Sequence, residues 1–212
     1  MNKKRYYFLG TMSTVLFVVL ALLIQSQGLK GPVLFDHPLQ EWAYSVQQHQ
    51  GLTTFFSHLT NMFGDTGGLI TAGLVALLLY FVVKERVGAI WFSGLIVFSF
   101  VLNSLVKHVI GRARPSIHRL AAFANEPGQS FPSGHSIFAT VFFGSLFFIF
   151  LYRMKKKSTK ITCGLLCLVM IGLIMFSRIL VGVHYPTDTL AGFLEGLMLL
   201  MFTYPYFQSR FR

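Results

Sequence analysis

The chain has 212 residues, 54% of them hydrophobic and only 12% charged, against about 25% charged in a soluble domain. That composition excludes an ordinary soluble globular protein, and two cysteines give no disulfide framework. A net charge of +11 would point to nucleic acid in a soluble chain, but its distribution here argues against that.

A bilayer core about 30 Å thick takes roughly 20 apolar residues per helix. Six spans are predicted, near 7–26, 68–83, 87–106, 134–152, 161–180 and 189–207, the second being short. The first follows Lys3-Lys4-Arg5 in the manner of a signal peptide. Its apolar run from Tyr6 to Ile24 exceeds the usual signal core, and no small-residue cleavage site follows, so it reads as a retained helix. In the outer connection 28–66, Trp42, Tyr44, Phe55, Phe56 and Met62 alternate with polar residues. Two short interfacial helices are expected there, ended by Gly51 and Gly64, as a structural cap in preference to a substrate gate. A second outer stretch, 108–131, carries Pro115, Pro127 and Gly128 and joins the third and fourth spans. Connections this long without regular structure are usually functional or disordered. The expected fold is all-α, a six-helix integral membrane bundle forming one domain over 1–212.

Basic residues sort by side. Lys3, Lys4, Arg5, Lys84, Arg86, Arg153, Lys155, Lys156, Lys157, Lys160, Arg210 and Arg212 fall at the termini or in alternate loops. The positive-inside rule assigns them to the cytoplasm, with both termini inside a multi-pass protein of the cell membrane. Lys30, Lys107, Arg112, Arg114, Arg119 and Arg178 lie on the outer half with all seven histidines. Cys163 and Cys167, one turn apart in an apolar helix, read as packing residues.

Three polar stretches on that outer half carry the chemistry. Lys107 ends the third span, and Arg114 follows before Pro115, which biases it away from helix. Arg178 sits near the outer end of the fifth span, where a charge is costly without a counter-ion. Three cations against one nearby carboxylate call for an anion, and arginine forks fit phosphate oxygens, so Lys107, Arg114 and Arg178 are assigned to phosphate binding. Ser133 and Gly134 open the fourth span, as a cap and a close-approach residue beside free N–H groups, an anion site. His135 next to them suits a general acid for a leaving alcohol. His184 and Asp188 lie between the fifth and sixth spans, with Pro186 expected to end the earlier helix. There a carboxylate would fix the imidazole tautomer. Two histidines and an aspartate also raise a metal site, but the surrounding cations would repel a divalent ion and no ligand spacing appears, so no metal and no cofactor are expected. Glu195, two turns beyond Asp188, is either functional or a protonated packing residue. Asn103 reads as interhelical glue.

The spacings K-x6-RP (Lys107 to Pro115), PSGH (Pro132 to His135) and SR-x5-H-x3-D (Ser177 to Asp188) resemble the three-part signature of the type 2 phosphatidic acid phosphatase family. Vanadium-dependent haloperoxidases share similar motifs, but membrane spans beside the site favour a lipid. The resemblance implies that His184 attacks phosphorus to form a phosphohistidine, with Asp188 orienting it. His135 then activates the water that releases phosphate. It further implies a lipid phosphate substrate, phosphatidylglycerophosphate first and undecaprenyl pyrophosphate second, dephosphorylated at the extracytoplasmic face. The expected partners are that lipid and the bilayer, with no nucleic acid and no obligate protein partner. An anion transporter is the rival of another class, but it calls for polar groups at the bilayer midplane and repeated halves.

Overall fold

The computed structural model describes residues 3–27 and 29–210. Among them are helices α1 (Lys3–Gln27), α2 (Asp36–Gln47), α3 (Gln50–Met62), α4 (Asp65–Leu77), α5 (Arg86–Ile110), α6 (Gly134–Leu151), α7 (Lys157–Leu180) and α8 (Pro186–Ser209). A π-helical turn, Leu78–Val82, extends α4, and one 3-10 turn, Ala121–Phe123, interrupts the connection between α5 and α6. No strand occurs among the described residues.

Five helices, α1, α5, α6, α7 and α8, are long and apolar enough to cross a membrane. A sixth crossing is reached when α3 and Thr66–Val82, bent by 59° at the break between them, count as one span. The short span expected at 68–83 is therefore α4 with its π turn. Two short helices do fill the first outer connection, but their break falls at Gln48 and His49. Gly51 lies inside α3 instead of ending a helix. Likewise Pro186 does not end α7, which stops at Leu180. It is the first residue of α8, where a missing N–H costs nothing.

The most buried span is α8, which packs chiefly against α1 and α6 and also meets α5, α7 and α2. Its approach to α6 runs through small residues: a Cβ on Gly192 would lie 2.5 Å from the Ser133 carbonyl and 2.9 Å from the Ser136 Cβ. Small residues let apolar helices close without a hydrophobic driving force between them. The aromatic core includes Phe63, Phe92, Phe138 and Phe142. Because successive spans alternate in direction, the C-terminal ends of α5 and α7 share one end of the bundle with the N-terminal ends of α6 and α8. Lys3, Lys84, Arg86, Arg153, Lys155, Lys156 and Lys157 sit at the opposite end. Arg212, counted with them, lies outside the described residues.

Filling the α6–α8 contact should loosen the bundle. Gly192→Val is expected to cost on the order of 1–3 kcal/mol through overpacking, or several degrees in the midpoint of thermal unfolding in detergent. An unchanged midpoint would show that the two helices do not need this approach.

Candidate active site

Helix α5 ends where Gly111 takes a left-handed conformation, φ 69°, and donates its N–H to the Lys107 carbonyl at 2.9 Å. That turn leaves Lys107 in the last helical turn, with its Nζ donating to the Gln129 carbonyl at 3.1 Å. The chain beyond it carries Arg112 into the interior, where it is 0% exposed. Ser133 occupies the N-cap of α6 with extended backbone, but its side chain makes no capping bond, and its hydroxyl is buried with no hydrogen-bond partner among the described residues. Its N–H instead donates to the Asp188 carbonyl at 3.0 Å, stitching the start of α6 to the first turn of α8. The PSGH turn and the His184 loop are thereby held side by side.

His184 is 1% exposed. An Arg114 amine, Nη1, lies 3.0 Å from its Nε2 and also donates to the Val183 carbonyl at 3.1 Å. Arginine has no acceptor, so this contact requires a lone pair on Nε2 and leaves the proton on Nδ1. Nδ1 faces Asp188 Oδ2 at 3.4 Å, within ion-pair range but outside hydrogen-bond geometry. Asp188 Oδ2 accepts from the Tyr185 N–H at 2.9 Å. Burial first, then the positive charges of Arg114, Arg178 and Lys107 and the nearby His135, hold the His184 imidazole well below its ordinary pKa of 6.5. The ring is thus neutral at pH 7, with the lone pair aimed at a cation.

The remaining expected residues gather around it. Arg178 is 1% exposed, donating from Nη1 to the Thr60 hydroxyl at 2.9 Å and pairing through Nη2 with Glu126. His135 and Arg178 line a pocket of ≈ 270 Å³ together with Asn61, Gly64, Thr66, Gly67, Phe123 and Glu126. Gly134 leads into the first turn of α6 beside Asn103. Arg114 is outside that lining and donates to the Pro127 and Gly128 carbonyls. Asn103 bridges helices as expected, donating to Glu195 Oε2 at 3.3 Å and to the Pro132 carbonyl at 3.4 Å. Glu195 is buried, and its Oε1 has no partner among the described residues.

Sequence reasoning missed four contributors. It counted one carboxylate near the cations, whereas Glu126 meets Arg178 and Asp36 joins Asp188 on Arg112. Thr60 and Thr187 anchor the two guanidiniums. Asp36 and Thr60 belong to the connection between α1 and α4, 76 and 118 residues from Arg112 and Arg178, so no spacing could have linked them. Among the described residues, no group of three or more His, Cys, Asp or Glu side chains is disposed to hold a metal.

Residues 88–212 match the family model of the PAP2 superfamily. The chain belongs to it. It is an integral membrane lipid phosphate phosphatase. A lipid A 1-phosphatase of Rhizobium johnstonii is 30% identical over 214 residues, covering 89% of this chain and 78% of that protein. Phosphatidylglycerophosphatase B of Bacillus subtilis is 35% identical over 104 residues, 47% of this chain and 48% of that one. The crystal structure of a transmembrane PAP2 type phosphatidylglycerolphosphate phosphatase from Bacillus subtilis superposes with a TM-score of 0.76. It is 24% identical and covers 96% of this chain and 97% of that one. That likeness extends the shared fold to nearly the whole length, including the α1–α4 region outside the family match.

Removing one of the cations that depress His184 should release part of its shift. In Arg114→Gln, the imidazole pKa is expected to rise yet stay below 6.5, because burial, the largest cause, remains. Histidine-labelled NMR in detergent follows this directly. A wild-type His184 that titrates at or above 6.5 would contradict the geometry.

Proposed function

We propose that the protein is a metal-independent phosphatase that removes phosphate from a membrane lipid at the extracytoplasmic face through a phosphohistidine on His184. One observation carries the reading: the Nε2 lone pair of a neutral, buried His184 points at the Arg114 guanidinium, 3.0 Å away. A phosphate that draws the Arg114 N–H groups onto its oxygens would replace this contact and meet the lone pair that attacks it. Arg114, Arg178, Lys107, the Ser133 hydroxyl and the first-turn N–H groups from Gly134 onward surround the equatorial oxygens, and such preset donors stabilise a phosphoryl transition state.

In the first step, Nε2 forms a bond to phosphorus as the phosphorus–oxygen ester bond breaks. His135 gives its proton to the departing alkoxide, releasing the lipid alcohol. In the second step water attacks the phosphorus of the phosphohistidine, His135 takes the water proton, and the nitrogen–phosphorus bond breaks to free phosphate and the imidazole. Asp188 stabilises the charge that His184 carries while phosphorylated. The cations supply the electrostatic role that a metal plays in other phosphatases.

Phosphatidylglycerophosphate is the first substrate of this reading, supported by the 35% identity to phosphatidylglycerophosphatase B. Lipid A 1-phosphate is the second, favoured by the longer match to a lipid A 1-phosphatase. The outward placement rests on the positive-inside rule, since the opposite end of the bundle holds the clustered lysines and arginines.

Purified protein is expected to release phosphate fastest from phosphatidylglycerophosphate in a panel that includes lipid A and undecaprenyl pyrophosphate, and to do so undiminished in excess EDTA. Loss to EDTA restored by magnesium or zinc would replace this mechanism with metal-assisted hydrolysis. His184→Ala should lower kcat by at least about a hundredfold, as removal of a nucleophile does. A folded variant with near wild-type turnover would remove the phosphohistidine.

Orientation has its own measurement. The exposed Asn125 lies in the connection between α5 and α6. In a background free of Cys163 and Cys167, Asn125→Cys should react with an impermeant thiol reagent added to intact cells, and Ser158→Cys should not. The reverse pattern would put the site in the cytoplasm.

A further inference from the structure

We infer that Asp36 and Arg112 form a buried positioning pair for Asp188, which makes the N-terminus of α2 part of the apparatus that orients His184. The inference rests on the roles proposed above for His184 and Asp188. Arg112 is 0% exposed and its guanidinium spans two carboxylates, with Nη1 on Asp188 Oδ1 at 2.6 Å and Nη2 on Asp36 Oδ2 at 2.9 Å. Nη1 also donates to the Thr187 hydroxyl at 2.8 Å, and Nη2 to the Gly31 carbonyl at 2.8 Å. The plane of the group lies over the Tyr185 ring, 4.0 Å from its centroid. Asp36 in turn accepts from the Thr187 N–H at 2.8 Å, the Thr187 hydroxyl at 2.9 Å and the Val33 N–H at 2.9 Å.

Two consequences follow. The first is geometric. Arg112 occupies Oδ1 of Asp188, and the Tyr185 N–H fixes the carboxylate from the other side, so Oδ2 is the oxygen left facing His184. The second is electrostatic. Arg112 alone would cancel the charge of Asp188, and His184 would feel a neutral pair. A second carboxylate, Asp36, restores one net negative charge to the cluster. That charge opposes the cations that also face His184: Lys107 from α5, Arg114 from the outer connection and Arg178 from α7, with His135 from α6. It is needed most when nitrogen becomes positive on forming its bond to phosphorus. Nothing else in the proposed chemistry uses Arg112 or Asp36, and a cap over the bundle needs no fully buried charges.

The test is Asp36→Asn, close to isosteric, assayed in membranes beside wild type and His184→Ala. In metal sites, partners that orient a ligand from behind cost about 10–100-fold when changed, and by analogy kcat is expected to fall by about that factor here with KM within about twofold. The fall of kcat on acidification should also move to lower pH, because losing a negative charge disfavours the imidazolium. A purely structural defect would not shift that limb. Where Asp36→Asn does not accumulate folded, Arg112→Lys carries the same test, since an ammonium cannot hold two carboxylates in one plane. There kcat should fall with KM held. Unchanged kcat, or KM rising in step with the loss of kcat, in the folded variant overturns the inference. A His184→Ala protein that stays active instead overturns the site reading itself, so the two failures are distinguishable.

Discussion

The site depends on a guanidinium held between two carboxylates out of water. Arg112 ties the N-terminus of α2, through Asp36, to the first turn of α8, through Asp188 and Thr187. Buried ion pairs contribute little net stability, because desolvation offsets most of their attraction. Removing one partner nevertheless costs on the order of 3–5 kcal/mol, by leaving a buried charge alone. That asymmetry makes the cluster nearly all-or-none. It specifies one arrangement of three segments that are far apart in the chain, and the His184 loop lies between two of them. The Tyr185 ring, packed on the same guanidinium, extends the fixed region to the residue next to His184.

Fixing the loop fixes a tautomer. A histidine with a cation at each accessible nitrogen would be of little use as a nucleophile. Here the cation meets Nε2 and the carboxylate meets Nδ1, so the proton has one favourable place and the lone pair the other. Burial alone would leave the ring neutral but indifferent to which nitrogen bears hydrogen. The arginine on one side and the aspartate on the other break that symmetry. The same arginine that defines the lone pair is positioned to bind the phosphate that the lone pair would attack.

Much of this was legible in the sequence because membrane proteins concentrate their information. Apolar runs long enough to cross a bilayer leave few polar stretches, and Lys107, Arg114, His135, Arg178, His184 and Asp188 stood out against that background. Local spacing also carried them, since each lies within eleven residues of another motif member. The hydrophobic period could not show where α2 and α3 divide: Gln48 and His49 tighten to bonds with the carbonyls three residues back and His49 turns extended, while Gly51 continues as helix. Spacing was silent about Asp36, Glu126 and Thr60, because single polar residues in an outer connection look alike until tertiary contacts select among them. Arg112 was left without a role for a related reason. It lies outside the phosphate-binding set, but its importance comes from what it holds in place.

Helix direction explains why one end of the bundle collects both the cations and the groups that receive anions. The C-terminal ends of α5 and α7 carry partial negative charge, and Lys107 and Arg178 sit in their last turns, where cations are favoured. The N-terminal ends of α6 and α8 carry partial positive charge, and these are the ends that offer the PSGH turn to an anion and place Asp188 in a first turn. An antiparallel bundle with an even number of crossings repeats this alternation at both ends. Only the end that carries these motifs adds connections long enough to bring Arg112, Arg114, Asp36 and Glu126 over the helix termini. The opposite end has short turns and basic residues, without a comparable set of carboxylates among the described residues. The motif residues are therefore gathered at one end of the bundle by connection length as much as by local spacing, and α2, through Asp36, is the part of those connections that reaches the cluster around Asp188, the carboxylate beside His184.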